Sequence, residues 1–360
     1  MTSRSPLDES RAARIVFVTQ RVNPDDPVLG ATVAKLRALA VRVDEVVVLA
    51  DAAVPDALPS NCRVHLFRSS SKVGRGLRFE AALARELGRR PRPAAVVAHM
   101  CPIYAVLAAP LARPLGVPVL LWYAHWKATP TLRLAARVSS RLVSVDRRSV
   151  PLESRKVVGI GHGIDVAEFA CGDGRPGAGL QAVALGRYSA AKGLDVVVRA
   201  ARLALDRGVD LRLRLHGVAS TPAEEADRDA LVRLVAELGL AERVQIGGPV
   251  PRYEVPALLH DADVLVNNMR AGAPDKVVYE ACASCLPVLV SNPVFDELLD
   301  DLEPRLRFAR EQPDELADRL AAFAALSTDE RRALGRTLRE RVVAAHSVDT
   351  WADRMLELAR

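Results

Sequence analysis

The first half of the chain alternates short β-branched runs with longer stretches in which leucine and alanine recur at helical spacing. The runs Arg14–Thr19, Glu45–Leu49, Arg63–Phe67, Ala95–His99, Pro118–Tyr123, Arg141–Val145 and Lys156–Ile160 read as strands. Between them Ala31–Ala40, Gly76–Leu87, Ile103–Leu115 and Leu132–Ser139 read as helices. Such alternation builds a parallel sheet with helices on both faces.

Residues 171–179, CGDGRPGAG, fit no regular element and predict a linker. The alternation then restarts, with strands at Gln181–Leu185, Leu211–Leu215, Arg243–Ile246, Asp263–Val266 and Pro287–Ser291. Helices are expected at Ala190–Asp206, Pro222–Leu238, Val255–His260, Asp275–Ser284 and Phe295–Leu299, and throughout from Pro313 onward. The expected organisation is a first α/β domain over 1–170, a second over 180–345, and a C-terminal helix over 346–360 packing back on the first. Two such Rossmann-like domains would face a central cleft, and ligands of doubly wound sheets sit beyond the carboxyl ends of the strands.

Composition narrows the class. The 360 residues suffice for two or three domains, and 50% hydrophobic with 26% charged residues describes a globular chain rather than a disordered one. The apolar stretch Ile15–Val18 is far short of a signal-peptide core or a span of ~20 residues, so a cytoplasmic protein is expected. Five cysteines, without the two C-x-x-C pairs of a zinc site, point to a reducing compartment and no metal. The net charge of +6 is uneven: residues 1–173 hold 25 basic against 15 acidic side chains, the remainder 25 against 29. A basic first half suits an anionic lipid or phosphorylated acceptor. With only six lysines among the 50 basic residues, a compositional arginine bias accounts for the same excess.

Two stretches carry candidate chemistry. Leu185-Gly186-Arg187-Tyr188-Ser189-Ala190-Ala191-Lys192-Gly193-Leu194-Asp195 stands at a strand-to-helix join, with two cations five residues apart and a glycine beside each. Arginine forks onto phosphate oxygens, lysine adds a compact charge, and a helix N-terminus adds free amides, a set that suits a diphosphate. A solvated turn with two surface cations fits the spacing equally. It is not a Walker loop, because Ala191 precedes and Gly193 follows Lys192. The second stretch, Gly272-Ala273-Pro274-Asp275-Lys276-Val277-Val278-Tyr279-Glu280, is a glycine–proline turn into a helix, whose Glu280 can accept from vicinal hydroxyls such as those of a ribose. Taken alone, Lys276 and Glu280 are a surface ion pair one turn apart.

Together and in order, these stretches resemble the nucleotide-sugar glycosyltransferases of the GT-B fold, in particular the retaining family-4 type, over essentially the whole chain. GRYSAAKGLD is similar to that family's G-R-x-x-x-x-K-G-x-D motif, and DKVVYEACASCLPVLVSN to its E-A-x-A-x-G-x-P-V-V segment. Gly161-His162-Gly163-Ile164-Asp165 with Phe169 resembles the N-G-I-D-x-x-x-F turn, Asp263–Val266 the A-D-V-x-V strand, and Ile246–Val250 the F-x-G-x-V turn. The resemblance implies that Arg187 and Lys192, with Gly186, bind the donor diphosphate. Gly272, Pro274, Lys276 and Glu280 line the donor, with Glu280 on the ribose. Backbone around Gly248 and Val250 meets the base, Gly30 in Pro27-Val28-Leu29-Gly30 approaches the donor, and His125 in Leu121–Trp126 lies near the sugar. His99, Lys72 and Arg75 are weaker acceptor-side candidates.

The chain departs from the family at three positions. Gly272 stands where the first of two glutamates spaced by eight is usual, Cys285 where a glycine is usual, and His162 replaces the asparagine of the turn. The expected activity is hexosyl transfer from a nucleoside-diphosphate sugar to an acceptor hydroxyl, without cofactor or metal. Expected acceptors are a carbohydrate, a lipid-linked glycan or a natural product, with a peripheral contact to anionic membrane and no nucleic acid. The triplet Asp261-Ala262-Asp263 invites a metal-dependent alternative, but it opens a strand deep in the second half. A weakly active or inactive sugar-nucleotide-binding protein, compatible with Gly272, and a nucleotide-sugar epimerase are the competing readings. A nicotinamide enzyme is disfavoured because no G-x-G-x-x-G follows the first strand.

Overall fold

The computed structural model describes residues 12–26, 29–172 and 179–360. Two units result, one reaching to Asp165 and including Ala345–Arg360, the other Val166–Ala344. Residues 166–170, read from sequence as the end of the first domain, therefore belong to the second unit. Pro27, Val28 and linker residues 173–178 lie outside the described residues.

In chain order the first unit holds β1 (Ala12–Val22), α1 (Ala31–Ala40), β2 (Val43–Ala53), β3 (Cys62–Leu66), α2 (Lys72–Gly88), β4 (Ala95–His99), α3 (Pro102–Ala112), β5 (Val119–Trp122), α4 (Pro130–Val138), β6 (Arg141–Ser144) and β7 (Val157–Gly159). Its sheet has the order β3-β2-β1-β4-β5-β6-β7 and every pairing is parallel. Ile15, Val16, Phe17 and Val18 are all fully buried, the consequence of helices on both faces. On one face Val16, Val18, Val47 and Val96 pack against Phe79 and Leu83 of α2 and Tyr104 of α3.

The second unit holds β8 (Leu180–Leu185), α5 (Leu194–Asp206), β9 (Leu211–His216), α6 (Pro222–Glu237), β10 (Val244–Ile246), α7 (Val255–His260), β11 (Val264–Asn267), α8 (Lys276–Ala283), β12 (Val288–Val290), α9 (Asp296–Leu299), α10 (Glu303–Leu306), α11 (Pro313–Ala324) and most of α12 (Thr328–His346). Its parallel sheet runs β10-β9-β8-β11-β12. The last helix, α13 (Val348–Glu357), returns to the first unit. There the carbonyl of His346 accepts from the amides of Gly163 and Ile164, and Trp351 meets Trp122 edge to face at 5.7 Å.

Two helix starts differ from expectation by four residues, each for a local reason. Helix α2 starts at Lys72 rather than Gly76, because the Ser71 side chain caps it by accepting from the Gly74 amide at 2.9 Å. That offsets the helix-weakening glycines which had suggested the later start. Helix α5 starts at Leu194 rather than Ala190. Ala190–Lys192 form a separate 3-10 turn, and Gly193, at φ 51°, breaks the helix after it. Lys192 is thus carried on a loop in front of the helix.

Candidate functional site

In each sheet the strand order reverses at one point, between β1 and β4 in the first unit and between β8 and β11 in the second. Loops leaving such neighbouring strands in opposite directions open a ligand crevice at their carboxyl ends. In the second unit these are the loops 186–193 and 268–275, which hold the two candidate stretches.

The two loops are tied together by charge. Lys192 Nζ forms an ion pair with Asp275 Oδ2, and only 12% of the lysine side chain is exposed. Asn267, the last residue of β11, donates Nδ2 to the same carboxylate oxygen at 2.7 Å, while Lys192 also donates to the Leu185 carbonyl at 3.2 Å. Asn268 donates to the Gly193 carbonyl at 2.8 Å. Gly186 stands at φ 141°, and a Cβ there would lie 2.3 Å from Lys192 Nζ, so the lysine's resting place requires a glycine. Asp275 directly precedes α8, and Lys276 begins it.

A second cluster surrounds Glu280. Its side chain, 5% exposed, accepts at Oε1 from Arg252 Nη1 at 2.9 Å, and Lys276 Nζ lies 3.1 Å away. Arg252 also pairs through Nη2 with Glu168 at 2.6 Å and lies over the Phe169 ring. Burial would raise the Glu280 pKa, but the Lys276 and Arg252 charges outweigh it and hold it below the ordinary carboxylate range. Burial likewise opposes the charge on Arg252, and Glu280 and Glu168 override it. The pair Lys276–Glu280 is therefore half of a buried network rather than the surface pair its spacing suggests.

Arg187 stands apart from both clusters. It is 58% exposed and pairs at 3.2 Å with Glu224, whose other oxygen accepts from the Ser220 amide in front of α6. Gly248 is exposed, a Cβ there would meet no other part of the chain within 4 Å, and Val250 is half-buried. The Gly248 carbonyl accepts from the Gly217 amide, and buried Tyr188 donates to the Gly247 carbonyl at 2.7 Å, which anchors this turn to the cation loop. Gly272 has φ 127°, and Pro274 is buried. Asp261 and Asp263 hold no common site: Asp261 faces Arg214, while Asp263 accepts from the Gln181 amide and lies 3.8 Å from Arg331.

In the first unit, His125 follows β5. Its Nδ1 accepts from the Lys127 amide at 3.1 Å, which leaves Nε2 to carry the proton of the neutral ring, and it stacks on Trp126. His99 ends β4, with Thr19 Oγ1 3.5 Å from its Nδ1. Burial, helped by the Lys35 charge, pushes its pKa well down, and its 4% exposure leaves little surface for an acceptor. Gly30 is buried in front of α1 with right-handed backbone. Lys72 is exposed, and Arg75 lies 3.6 Å from Asp51. Arg89 is taken up by Glu45 and Glu86, and Arg92 by the Leu115 carbonyl.

Sequence reasoning missed Arg252, Asn267, Asn268, Tyr188 and Glu224. Each acts through a partner 8 to 84 residues away, and apart from Tyr188 none belongs to a stretch whose local spacing signals chemistry. Among the described residues no group of His, Cys, Asp and Glu is arranged to hold a metal ion, and no helix is long and apolar enough to cross a membrane.

Residues 174–341 match the family described as Glycosyl transferases group 1. The putative colanic acid biosynthesis glycosyltransferase WcaL of Escherichia coli K12 is 30% identical over 188 residues, 50% of this chain and 45% of that one. A GDP-mannose:cellobiosyl-diphosphopolyprenol alpha-mannosyltransferase of Xanthomonas oryzae is 27% identical over 205 residues, 55% and 52% of the two chains. The chain thus spans about half the length of these curated relatives. Similar solved structures cover nearly all of it: a Rickettsia africae glycosyltransferase (TM-score 0.77, 14% identity, 97% and 98% covered) and Anabaena Alr3699/HepE in complex with UDP and glucose (0.74, 15%, 96% and 98%). Most of the second unit therefore matches the group 1 glycosyl transferases, and the chain as a whole has the GT-B fold.

Proposed function

We propose that the protein is a retaining, family-4-type glycosyltransferase that moves a hexosyl unit from a nucleoside-diphosphate sugar to an acceptor hydroxyl without a metal ion. The observation that carries this reading is the Lys192–Asp275 pair at the reversal point of the second sheet, inside the segment that matches the group 1 family. A cation held at the mouth of two loops, in front of α5 and α8, suits a ligand bearing negative charge.

The barrier lies in breaking the bond between the anomeric carbon and the diphosphate oxygen. In this reading the acceptor oxygen bonds to that carbon on the face the diphosphate leaves. The diphosphate departs with the bonding electrons, and one of its oxygens takes the acceptor's proton. Lys192 and the loop amides stabilise the departing charge, a contribution of roughly 3 kcal/mol for one well-placed donor. Arg187 joins them by releasing Glu224. Glu280, kept ionised by Arg252 and Lys276, accepts from the ribose, and the Gly248–Val250 backbone meets the base. His125 positions the sugar. The Anabaena complexes with UDP and UDP-glucose support a nucleotide-sugar donor, and the Xanthomonas relative's name supports a lipid-linked acceptor.

A thermal-shift panel of UDP, GDP, ADP and dTDP sugars tests the donor, because a ligand that binds only the native state raises its stability. A shift with at least one sugar nucleotide, lost in Lys192→Ala, is expected; no shift with any would reject the reading. The Gly272 departure favours a second reading, a donor-binding protein without transfer. A shift with no product over a broad acceptor panel would establish it.

A further inference from the structure

Two tethers join distant stretches of the second unit. One is covalent: Cys171 and Cys285, 114 residues apart in sequence, form a disulfide with Cα atoms 5.0 Å apart, a pairing not expected from sequence. The other is a clamp of hydrogen bonds on the short turn that carries Lys192, and it reaches the proposed chemistry.

That turn has little to hold it by itself. Ala190–Lys192 make a single 3-10 turn closed by two internal bonds, from the Lys192 amide to the Ser189 carbonyl at 2.9 Å and from the Gly193 amide to the Ala190 carbonyl at 3.3 Å. Gly193, in left-handed backbone, separates it from α5, so the helix lends it no cooperative support. Three donors from elsewhere supply what the turn lacks. The Arg310 guanidinium donates Nη2 to the Ala190 carbonyl at 2.9 Å, the Arg270 amide donates to the Ala191 carbonyl at 3.0 Å, and Asn268 Nδ2 donates to the Gly193 carbonyl at 2.8 Å. The fit is close: a Cβ on Gly193 would lie 2.5 Å from Asn268 Nδ2 and 3.4 Å from Arg310 Nη2.

Arg310 comes from farthest away, 120 residues along the chain, and from a fixed base. The stretch 307–312 between α10 and α11 is pinned to the edge of the sheet, where the Phe308 amide donates to the Val290 carbonyl of β12 at 3.1 Å and the Phe308 ring is buried. The Ala309 amide donates to Glu315 of α11 at 3.0 Å, and the Gln312 amide to the Ala309 carbonyl at 3.1 Å. The pair of Arg310 with its neighbour Glu311, itself 79% exposed, adds little. Unlike buried Asn268, Arg310 lies beside an open cavity of about 700 Å³ that also touches Ala190 and Gly193, so water can take up the carbonyl once the arginine is removed.

We propose that Arg310 is a positioning residue for Lys192. By holding the Ala190 carbonyl it fixes the backbone from which the lysine folds over Gly186 to Asp275 and the Leu185 carbonyl, and the ammonium stands in place before the donor arrives. Ordering a loose turn and a flexible four-carbon stem at the moment of binding would cost entropy that the clamp removes in advance. What the lysine meets rests on the glycosyl-transfer reading. What holds it rests on the geometry alone.

The test uses the full chain with Arg310→Ala, Arg310→Lys, Lys192→Ala and the double variant Arg310→Ala/Lys192→Ala. Arg310→Ala should melt within about 2 °C of the parent protein, because water replaces the arginine on an accessible carbonyl. Hydrogen exchange at the Lys192 and Gly193 amides should quicken about tenfold in that variant and return to within about twofold of the parent in Arg310→Lys, which keeps a cationic donor of similar reach. Unchanged exchange in Arg310→Ala, or exchange just as fast in the lysine variant, would overturn the clamp. A rise spread across α5 and α11 would make the arginine a general structural tie and overturn it too. Calorimetry with UDP, GDP, ADP and dTDP should find the nucleotide that binds held about five- to tenfold more weakly in Arg310→Ala. The double variant should bind no more weakly than Lys192→Ala, since a residue acting through the lysine then has nothing left to act on. Losses that add would overturn the positioning role. Should none of the four nucleotides bind the parent protein, the glycosyl-transfer reading fails, and the exchange result still decides whether Arg310 fixes the turn.

Discussion

Lys192 and Asp275 close an ion pair across 83 residues of sequence, joining the loop after β8 to the loop after β11 where the second sheet reverses its strand order. The pair sets two opposite charges where the proposed diphosphate would arrive, so the two single substitutions should act in opposite directions. Lys192→Ala should weaken nucleoside-diphosphate binding and lower kcat about 100-fold, the equivalent of roughly 3 kcal/mol. Asp275→Asn frees the ammonium and removes a repelling carboxylate, and calorimetry should find nucleoside diphosphate bound about five- to tenfold tighter. Weaker binding in Asp275→Asn would show that the carboxylate orients the lysine rather than competing for it.

Two glycines of the proposed donor loops should separate under the same substitution. Gly186→Ala puts a side chain on backbone at φ 141° and against Lys192, and denaturant unfolding should register a loss of about 1–3 kcal/mol. Gly248→Ala meets open space and should leave stability within about 0.5 kcal/mol while weakening nucleotide binding. Equal stability losses at both positions would contradict the local geometry.

Arg252 holds two carboxylates, one of them almost wholly buried. Arg252→Ala leaves Glu280 with Lys276 alone and should destabilise the second unit by about 3–5 kcal/mol, as removing one partner of a buried pair does. Arg252→Ala/Glu280→Gln should recover part of that loss, because the uncompensated charge goes with the glutamate. A double variant no more stable than the single one would place the effect in lost packing on Phe169 instead.

His346 gives the fold a pH dependence with a definite sign. Burial, aided by the Arg354 charge, lowers its pKa from 6.5 to about 4. Between those values the unfolded chain binds a proton that the folded one does not, so stability is full above pH 6.5 and falls as pH drops toward 4. The loss amounts to about 3 kcal/mol for this group, and buried His99 acts in the same direction. His346→Gln should flatten the stability profile over that window; a slope identical to the parent protein's would assign it to other groups.

Helix α2 is where the peripheral membrane contact expected from sequence can be tested. Val73 and Leu77, 75% and 62% exposed and one turn apart, sit among Lys72, Arg75 and Arg78. Sedimentation with anionic vesicles should carry the protein down at low salt, and Val73→Asp/Leu77→Asp should release it. Binding that persists unchanged in that variant would move the contact elsewhere.

Much of the architecture was legible from periodicity. Every strand expected from a β-branched run is present, and α1 and α7 have the expected bounds. Glycines and prolines flank buried, apolar runs, so local chemistry and tertiary burial agree there. The errors fall where a cap or a backbone turn overrides propensity: the Ser71 cap extends α2 past two glycines, and Gly193 cuts Lys192 away from α5. Within the candidate site, Lys192 and Glu280 were named from sequence, but Arg252, Glu168 and Glu224 were not. An ion pair between loops has no periodic signature.

What the sequence determined by itself is the pair of doubly wound sheets, since strand and helix periods are set by backbone geometry and need only neighbours along the chain. What only the tertiary structure decided is which charges meet. It buries Glu280 under Arg252, leaves Arg187 on Glu224, and brings Cys171 to Cys285, because a Coulomb interaction or a sulfur–sulfur bond depends on distance in space and is blind to distance along the chain.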